Sequence, residues 1–399
     1  MSIQVIKDKC TGCKICIKAC PFAALEVVEK KAIINLDKCN LCGACVEVCK
    51  LEAIIVEKPQ VRAERPDVKD YKGVWVFAEQ KKGKIQSVVY ELLAKAKELA
   101  NKLDTDVSCL LLGDKVEGIC QELFWRGAQK VYLVESPQLT HYLAEPYTNV
   151  LVELIKKYKP DILISGATNI GRSLVSRVAV RINAGLTADC TGLDIDQEKK
   201  ILLQTRPAFG GNIMATIITP HHRPQMATVR HKVMPEAAVD KAGKGKIIRE
   251  NFNHKLLESR TKLLDIIEEA TATVNLAEAD IIVSGGRGLQ KKENFKLIEE
   301  LAEVLGAAVG ASRATVDSGW MPYSHQVGQT GRTVCPRVYI ACGISGQIQH
   351  LVGMQSAKNI IAINKDEFAP IFKIATVGIV GDLFQLIPLL IKRFKALKK

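Results

Sequence analysis

The sequence predicts an α/β protein in which a small cysteine-rich N-terminal domain precedes two larger domains built on parallel sheets. Eight of the 13 cysteines lie before residue 50, and from Gly73 onward short apolar runs alternate with stretches of helical spacing. Such alternation is typical of a parallel sheet with helices on both faces. We therefore expect a first domain at residues 1–58, a polar linker at 59–72, and α/β domains at 73–250 and 251–399.

The early cysteines form two groups with the same spacing, C-x2-C-x2-C-x3-C. The groups are Cys10, Cys13, Cys16, Cys20 and Cys39, Cys42, Cys45, Cys49. This spacing resembles that of bacterial two-cluster ferredoxins, in which each [4Fe-4S] cluster takes three thiolates from one group and the fourth from the other. The resemblance implies a bacterial ferredoxin-like fold with two clusters, one held by Cys10, Cys13, Cys16 and Cys49, the other by Cys39, Cys42, Cys45 and Cys20.

An internal repeat supports the paired clusters, because DKCTGCKICIKACP parallels DKCNLCGACVEVCK. Pro21 completes the first signature, and Lys50 stands in its place in the second. A disulfide framework would need an oxidising compartment, and the N-terminal MSIQVIKDKC has no secretory pattern. Zinc sites usually join C-x2-C pairs through a longer loop. Iron–sulfur ligation is therefore the preferred interpretation.

The net charge of +13 is spread along the chain without a basic block, and only 5% of residues are aromatic. A nucleic-acid surface needs a basic stripe with stacking side chains, so this class of partner is disfavoured. No run approaches the roughly 18 apolar residues of a membrane helix. The C-terminal KRFKALKK after LFQLIPLLI could be a membrane-surface helix, but a solvated last turn with cations suited to the helix dipole is preferred. We expect a cytoplasmic protein without membrane insertion.

The middle domain is predicted to contain buried strands at VWVFAE, VSCLLLG, KVYLVE and DILISGA, with helices at 87–103, 115–126 and 173–183. Residues 201–233 have strand character without helices, which indicates extra or antiparallel strands. The polar, glycine-containing segment 238–251 is interpreted as a boundary. Beyond it we expect strands at DIIVSGG, RVYIACG and NIIAINK, a helix at 294–305 and a closing helix from Asp382.

The remaining cysteines are isolated in apolar surroundings, where a free thiol is usually buried and inert. They are Cys109, Cys120, Cys190, Cys335 and Cys342.

Three glycine-rich loops in the last domain have the chemistry of a nucleotide site. They are SGGRG at 284–288, QVGQTG at 326–331 and ACGISGQIQH at 341–350. Strand-to-helix turns of this kind present backbone N–H groups to an anion. Each loop alone is weak evidence, because such turns are often packing devices, and none is a G-x-G-x-x-G fingerprint.

Together these segments carry a family resemblance. VWVFAEQ, VSGGRGL, GASRATVD, QVGQTGR, ACGISGQIQHL, AINKDEFAPIF and GIVGDLF resemble the alpha subunit of electron-transfer flavoproteins from about residue 73 to the end. An N-terminal two-cluster module resembles that of relatives in electron-bifurcating complexes. The resemblance implies a Rossmann-like middle domain and a C-terminal FAD-binding α/β domain.

The resemblance places FAD-binding residues on the loops of the last domain. They are Arg287, Ser312, Arg313, Gln326, Val327, Gly328, Gln329, Thr330, Gly331, Gly343, Ile344, Ser345, Gly346, Gln347, Ile348, Gln349, His350, Asn364 and Asp382. It implies that Arg313 and His350 supply positive charge or donors near the isoalloxazine, and that Thr330 lies near N5. Arg287 and the 345–350 turn suit the pyrophosphate and ribityl chain, and Asn364 with Asp382 suits the adenosine end. For His350, an ordinary helix histidine is the alternative. No catalytic residue is assigned.

The same resemblance implies partners: a beta subunit that takes hydride from NADH, an acyl-CoA dehydrogenase-like enzyme, and a soluble ferredoxin. A flavin lactate dehydrogenase is the alternative partner enzyme. Two other readings stay open at this point: a self-contained ferredoxin-dependent flavin oxidoreductase, and an N-terminal module whose clusters only hold its fold. Residues 1–58 are mildly basic, which suits an acidic ferredoxin.

Overall fold

The structure, a computed structural model, describes residues 2–39, 41–57, 68–208, 213–266 and 275–397. The chain divides into two compact units, Met1–Arg65 and Pro66–Lys399. Most of the predicted linker, residues 59–67, lies outside the described residues. A short 3-10 turn, Val68–Asp70, follows it.

The N-terminal unit is a pseudo-symmetric pair of β-α-β halves. The first half contains β1 (Ser2–Val5), α1 (Ile15–Ala19) and β2 (Leu25–Val28); the second contains β3 (Lys31–Ile34), α2 (Ala44–Glu47) and β4 (Ile54–Glu57). The strands pair across the halves, β1 with β4 and β2 with β3, both antiparallel. Equivalent residues before the helices, Lys14 and Gly43, both have left-handed backbones with φ 62° and 81°. The sequence repeat therefore corresponds to a structural repeat.

The middle of the chain forms a parallel sheet, the central sheet. Its strands and flanking helices are β5 (Val74–Phe77), α3 (Ser87–Leu103), β8 (Val107–Gly113), α4 (Cys120–Trp125), β9 (Lys130–Glu135), α5 (Ala144–Tyr158), β10 (Ile162–Gly166), α6 (Asn169–Arg181), β11 (Leu186–Cys190), β15 (Gln225–Val229) and β16 (Lys246–Arg249). The strand order β11-β15-β10-β5-β8-β9-β16 is parallel throughout. A minor hairpin, β6 (Gln80–Lys81) and β7 (Lys84–Ile85), and a short helix, α7 (His254–Leu257), complete the region. The doubly wound order confirms the predicted parallel α/β class.

The segment predicted to add strands without helices does so. β12 (Gly192–Asp196), β13 (Ile201–Ala208) and β14 (Ile213–Ile217) form a separate antiparallel sheet, while β15 joins the central sheet. Ile213 and Met214 on β14 are more than half exposed, at 53% and 55%. Within the described residues, β14 pairs on one side only, so it is an exposed apolar edge strand.

Some predicted element boundaries differ from the structure. The helix predicted at 173–183 begins at Asn169, because Thr168 Oγ1 accepts a hydrogen bond from the Gly171 N–H at 2.8 Å and caps it. No element was assigned at 136–158, where α5 lies. The polar segment 238–251 contains β16, which pairs with β9. Half of β16 faces solvent at the sheet edge, so its polar pattern resembles a loop.

The C-terminal region is a second parallel sheet, the C-terminal sheet. Its elements are β17 (Ile281–Gly285), α8 (Phe295–Leu305), β18 (Ala308–Ala311), α9 (Arg313–Asp317), β19 (Val338–Cys342), α10 (Ile348–Met354), β20 (Asn359–Asn364), β21 (Val377–Val380) and α11 (Leu383–Leu397). The strand order is β18-β17-β19-β20-β21. The order reverses between β17 and β19, and doubly wound sheets bind ligands beyond the carboxyl ends of their strands at such a point.

Apolar side chains fill both faces of each parallel sheet. Leu92, Leu111 and Val131 lie in one layer of the central sheet, and Leu151 and Leu163 in the other. Ile298, Ile340 and Ile387 form part of the core of the C-terminal sheet. Among the helices described, none combines the length and apolar character needed to cross a bilayer.

Candidate functional site

The eight N-terminal thiols line two cavities, and each cavity takes three cysteines from one group and one from the other. The first thiol cavity is lined by Cys10, Cys13, Cys16 and Cys49. The second thiol cavity is lined by Cys39, Cys42, Cys45 and Cys20. These are the two sets that the ferredoxin resemblance implies.

Hydrogen bonds to sulfur are already in place around these cavities. The backbone N–H groups of Ala32 and Ala53 donate to Sγ of Cys10 and Cys49, each at 3.3 Å. The Ala24 N–H donates to Sγ of Cys20 at 3.4 Å. Such bonds stabilise thiolate charge and are one of the means by which a protein sets cluster potential.

The four thiols of each set lie around a cavity and are not grouped about a single metal position. Within the described ranges, no three His, Cys, Asp or Glu side chains are placed to hold one metal ion. A [4Fe-4S] cluster bonds each thiolate to a different iron, so ligands spread around a cavity suit it better than a single ion. Burial raises the pKa of the Cys16 thiol, and the neighbouring Cys13 and Cys10 raise it further. A raised pKa means that forming the Cys16 thiolate costs free energy. Binding of a metal, which requires thiolates, would offset this cost.

Glycines bring the backbones together at the switch point of the C-terminal sheet. A Cβ on Gly286 would lie 2.3 Å from the Gly343 carbonyl oxygen, and one on Gly288 would lie 2.6 Å from the Gly343 Cα. The Gly288 N–H donates to the Gly343 carbonyl at 3.0 Å. The loops after β17 and β19 are thus locked side by side, and Arg287, between those glycines, is exposed.

The loop at 326–331 lies against the N-terminal end of α10. The Gln329 N–H donates to the Gln349 carbonyl at 2.6 Å, and a Cβ on Gly328, whose φ is +149°, would lie 2.9 Å from the same oxygen. Gln326 Nε2 donates to Thr330 Oγ1 at 3.0 Å. This contact holds the loop's hydroxyl near the switch point, while Gln329 and Thr330 remain exposed.

His350 is buried beneath this loop, with 7% of its surface exposed. Its Nε2 lies 3.0 Å from Tyr339 Oη. Its Nδ1 lies beside the Val327 backbone but makes no hydrogen bond of ordinary geometry with any described residue. Burial lowers the pKa of His350 to about 4. The imidazole is therefore neutral near pH 7 and has one nitrogen available to a bound group.

The other predicted residues surround the same carboxyl edge. Ser312 precedes α9, and Arg313 is exposed, with its Nε 3.2 Å from Asp317 Oδ2. Asn364, at the end of β20, donates from Nδ2 to the Ile344 carbonyl at 3.0 Å. Asp382 caps α11 through an Oδ1 contact of 2.9 Å with the Phe384 N–H.

Comparison with known proteins gives matches over all three regions. The family described as "4Fe-4S dicluster domain" matches residues 2–50, "Electron transfer flavoprotein domain" matches 74–254, and "Electron transfer flavoprotein FAD-binding domain" matches 275–355. The electron transfer flavoprotein subunit alpha of Thermoanaerobacterium thermosaccharolyticum is 55% identical over 329 residues, covering 82% of this chain and 99% of the relative. The chain belongs to the electron-transfer flavoprotein alpha-subunit family.

Two further relatives extend the comparison of this alpha subunit. The electron transfer flavoprotein subunit alpha of Megasphaera elsdenii is 48% identical, covering 83% of this chain and 99% of its own. The acryloyl-CoA reductase electron transfer subunit beta of Anaerotignum propionicum is 43% identical, covering 82% and 97%. The chain therefore has an FAD-binding domain of this family and a [4Fe-4S] dicluster domain.

The residues present fit both cofactors. Eight thiols in two cavities suit clusters, and the closely packed glycine-rich loops at the switch point, with the unpaired Nδ1 of His350, suit a flavin. When bound, FAD and iron–sulfur clusters accept and release single electrons. Burial favours the neutral form of the His350 imidazole, which can act as a hydrogen-bond donor.

The other predicted residues have mixed outcomes. Burial holds for Cys109, Cys120, Cys190 and Cys342, while Cys335 is only partly buried and its thiol donates to the Ser356 carbonyl at 3.0 Å. The FAD-binding match ends at residue 355, so it does not include Asn364 and Asp382, which stay predictions from the family resemblance.

Sequence reasoning missed three residues: one beside His350, one beside the first thiol cavity and one in a cavity of the middle region. Tyr339, fully buried in β19, is the partner of His350, yet its place in the strand pattern is that of an ordinary core residue. Lys31 Nζ donates to the carbonyls of Lys7 and Cys10 at 2.6 and 2.8 Å. Contacts of this kind join residues far apart in the chain, so the spacing of residues in the sequence does not predict them.

The third is Glu79, which lines a cavity at the carboxyl edge of the central sheet. Thr168 Oγ1 donates to Glu79 Oε2 at 2.6 Å. Burial nevertheless raises the pKa of Glu79 to about 7, helped by the nearby Glu278. This carboxyl is therefore only partly ionised near neutrality.

Proposed function

We propose that this alpha subunit is the electron-transfer component of an electron-bifurcating flavoprotein complex. In this proposal a beta subunit with its own FAD oxidises NADH. One electron leaves through the FAD-binding domain of this chain to a flavin dehydrogenase, and the other leaves through two N-terminal [4Fe-4S] clusters to ferredoxin. The observation that carries the proposal is the presence of two four-thiol cavities and an FAD-binding edge in one chain.

The chain's residues have definable roles in this proposal. The two crossed cysteine sets hold the clusters, with N–H···S bonds that moderate their charge. Arg313 is the exposed cation, and His350 Nδ1 the neutral group, offered to the flavin ring. Arg287 and the turn at 345–350 face the pyrophosphate and ribityl chain, Thr330 lies near N5, and Asn364 with Asp382 lies toward the adenosine.

The antiparallel sheet of the middle region is our candidate for the beta-subunit interface. Its edge strand β14 exposes Ile213, Met214 and Ile217, with Ile218 just beyond. Long exposed edge strands with apolar side chains are usually covered by another chain. A heterodimer with a beta subunit is typical of the family.

For the terminal acceptor we propose an acyl-CoA dehydrogenase-like reductase. The support is the relative from Anaerotignum propionicum, whose name assigns it to acryloyl-CoA reductase. A flavin lactate dehydrogenase is the second candidate. Co-purification of the native complex, followed by mass spectrometry of its chains, distinguishes the two.

Deletion of residues 1–58 tests the role of the clusters. The relatives that align with 82% and 83% of this chain over nearly their whole length support an FAD-containing portion that folds without the module. We expect the deleted chain, assembled with its beta subunit, to reduce dyes through FAD from NADH but not ferredoxin. Full ferredoxin reduction without the module would contradict the proposal.

The competing readings predict other results. A self-contained ferredoxin-dependent oxidoreductase would turn over without any second subunit. A module whose clusters only hold its fold would keep them in one redox state during turnover, which freeze-quench EPR detects. Clusters that are reduced and reoxidised at the rate of turnover support electron transfer through the module.

A further inference from the structure

The two thiol cavities are equivalent by the internal repeat but differ in charge. Lys14 and Lys50 line the first thiol cavity, and its described lining contains no acidic side chain. The described lining of the second thiol cavity contains no charged side chain at all. The repeat places Gly43 where Lys14 stands and Pro21 where Lys50 stands. The charge difference is therefore located at the two cavity mouths.

The mouth of the first thiol cavity also exposes apolar surface. Ile15 follows Lys14 and is 43% exposed, and Leu51 follows Lys50 and is 48% exposed. Cys13, one of the four thiols of this cavity, is itself exposed, as is Cys42 at the second cavity, so charge and not thiol exposure distinguishes the two mouths. Small patches that combine apolar contact with charge are typical of transient docking surfaces. Charge guides the encounter of the two proteins, and apolar contact keeps their redox centres close together.

We propose that the mouth of the first thiol cavity, formed by Lys14, Ile15, Lys50 and Leu51, is the docking surface for an acidic electron-carrier protein. The inference rests on the proposed function and specifies which cluster exchanges electrons with the carrier. Charge complementarity decides the occupant, because two cations beside an exposed thiol attract a protein whose own redox centre is surrounded by carboxylates. The second mouth, with Phe22 exposed and no cation in its described lining, attracts no such partner.

The test uses the full chain carrying its clusters and FAD. The double variant Lys14→Gln/Lys50→Gln removes two charges from the mouth. Its matched control, Lys18→Gln/Lys38→Gln, removes two exposed charges from the same unit at residues that line neither cavity. Stopped-flow absorbance measures the second-order rate constant from the reduced chain to a purified acidic two-cluster ferredoxin at several salt concentrations.

We expect Lys14→Gln/Lys50→Gln to lower the rate constant at low salt by roughly three- to tenfold and to flatten its salt dependence, while the control changes it less than twofold. An equal decrease of the rate constant in both variants would overturn the inference, because the effect would then come from the net charge of the unit and not from the positions of Lys14 and Lys50. Unchanged rates in both would overturn it as well.

Two measurements separate this inference from the proposed function. Iron content and the EPR signals of both variants establish that the clusters are intact. If the unmodified reduced chain transfers electrons to a dye but not to ferredoxin, the proposed function fails. If it reduces ferredoxin and Lys14→Gln/Lys50→Gln does so equally fast, only the docking surface is wrong.

Discussion

Tyr339 and His350 form a buried hydrogen bond, with Tyr339 Oη 3.0 Å from His350 Nε2. Tyr339 lies in β19, one of the two strands that flank the switch point. His350 lies in α10, the helix that follows β19. The bond fixes the plane of the imidazole and directs Nδ1 away from Tyr339, since the two nitrogens lie on opposite edges of the ring.

Replacement of Tyr339 by Phe tests this arrangement. The variant leaves His350 Nε2 without its partner, so the ring is less well oriented toward the flavin. We expect FAD to bind roughly five- to tenfold more weakly, equivalent to about 1 kcal/mol, as measured by flavin fluorescence. Tyr142→Phe, which loses a 3.1 Å bond to Ser173 in the middle region, is the control. Equal FAD affinity in both variants would refute the orienting role.

Lys31 provides a test of cluster electrostatics. Its ammonium contacts the Cys10 carbonyl, and a nearby positive charge favours the more negative, reduced state of a cluster. We expect Lys31→Met to lower the potential of one cluster by roughly 30–60 mV, the equivalent of about 1 kcal/mol for one electron. EPR-monitored redox titration measures both clusters. Lys30→Met, at an adjacent exposed position, should shift neither; similar shifts in both variants would exclude a specific effect.

Gly286 is predicted to tolerate no side chain. A Cβ there would lie 2.3 Å from the Gly343 oxygen, which would force the loops after β17 and β19 apart. We expect Gly286→Ala to lose most of its bound FAD and to destabilise the C-terminal sheet by about 1–3 kcal/mol. The flavin-to-protein absorbance ratio measures the loss. Gly118→Ala, where no atom lies within 4 Å of an added Cβ, should retain full flavin content.

Stability should depend on pH through Glu79. The pKa of its carboxyl is raised from 4.5 to about 7 in the folded chain. Between those values the folded state binds the extra proton, so the free energy of unfolding falls as pH rises, and above pH 7 the full cost of the buried charge applies. This cost is at most roughly 3 kcal/mol.

Glu79→Gln removes the titration and keeps an acceptor for Thr168. We expect its Tm to exceed that of the unmodified chain at pH 8, by about 2–4 °C for each kcal/mol recovered, and to match it at pH 5. Differential scanning calorimetry provides the values. Glu198→Gln, at an exposed turn, should change Tm at neither pH. A gain of equal size at pH 5 and pH 8 would rule out ionisation as the cause.

Sequence patterns predicted the structural features that depend on the spacing of residues along the chain. The resemblance of the cysteine spacing to bacterial two-cluster ferredoxins implied the two four-thiol sets, and apolar periodicity led to the parallel sheets and to α3 with its exact bounds, residues 87–103. Periodicity failed at β16, a four-residue edge strand whose exposed ends, Lys246 and Arg249, resembled a loop although Ile247 and Ile248 between them are partly buried.

Sequence patterns could not predict what depends on contacts between distant residues. The pKa of His350 is set by burial under the 326–331 loop, and the position of Lys31 is set by a turn more than twenty residues earlier in the chain. Glu79 is likewise defined by Thr168, which comes from another strand-to-helix connection. Charge, tautomer and orientation at these positions follow from tertiary packing, for which the sequence contains no local signal.

The exchange of strands and cysteines between the halves of the N-terminal unit has a consequence for damage. Each cavity has walls from both halves, since Cys49 completes the first set and Cys20 the second. Oxidation of either of these thiols would remove a ligand from one cavity at a residue that belongs to the opposite half of the repeat. Damage to one half would therefore be felt at the cluster site of the other.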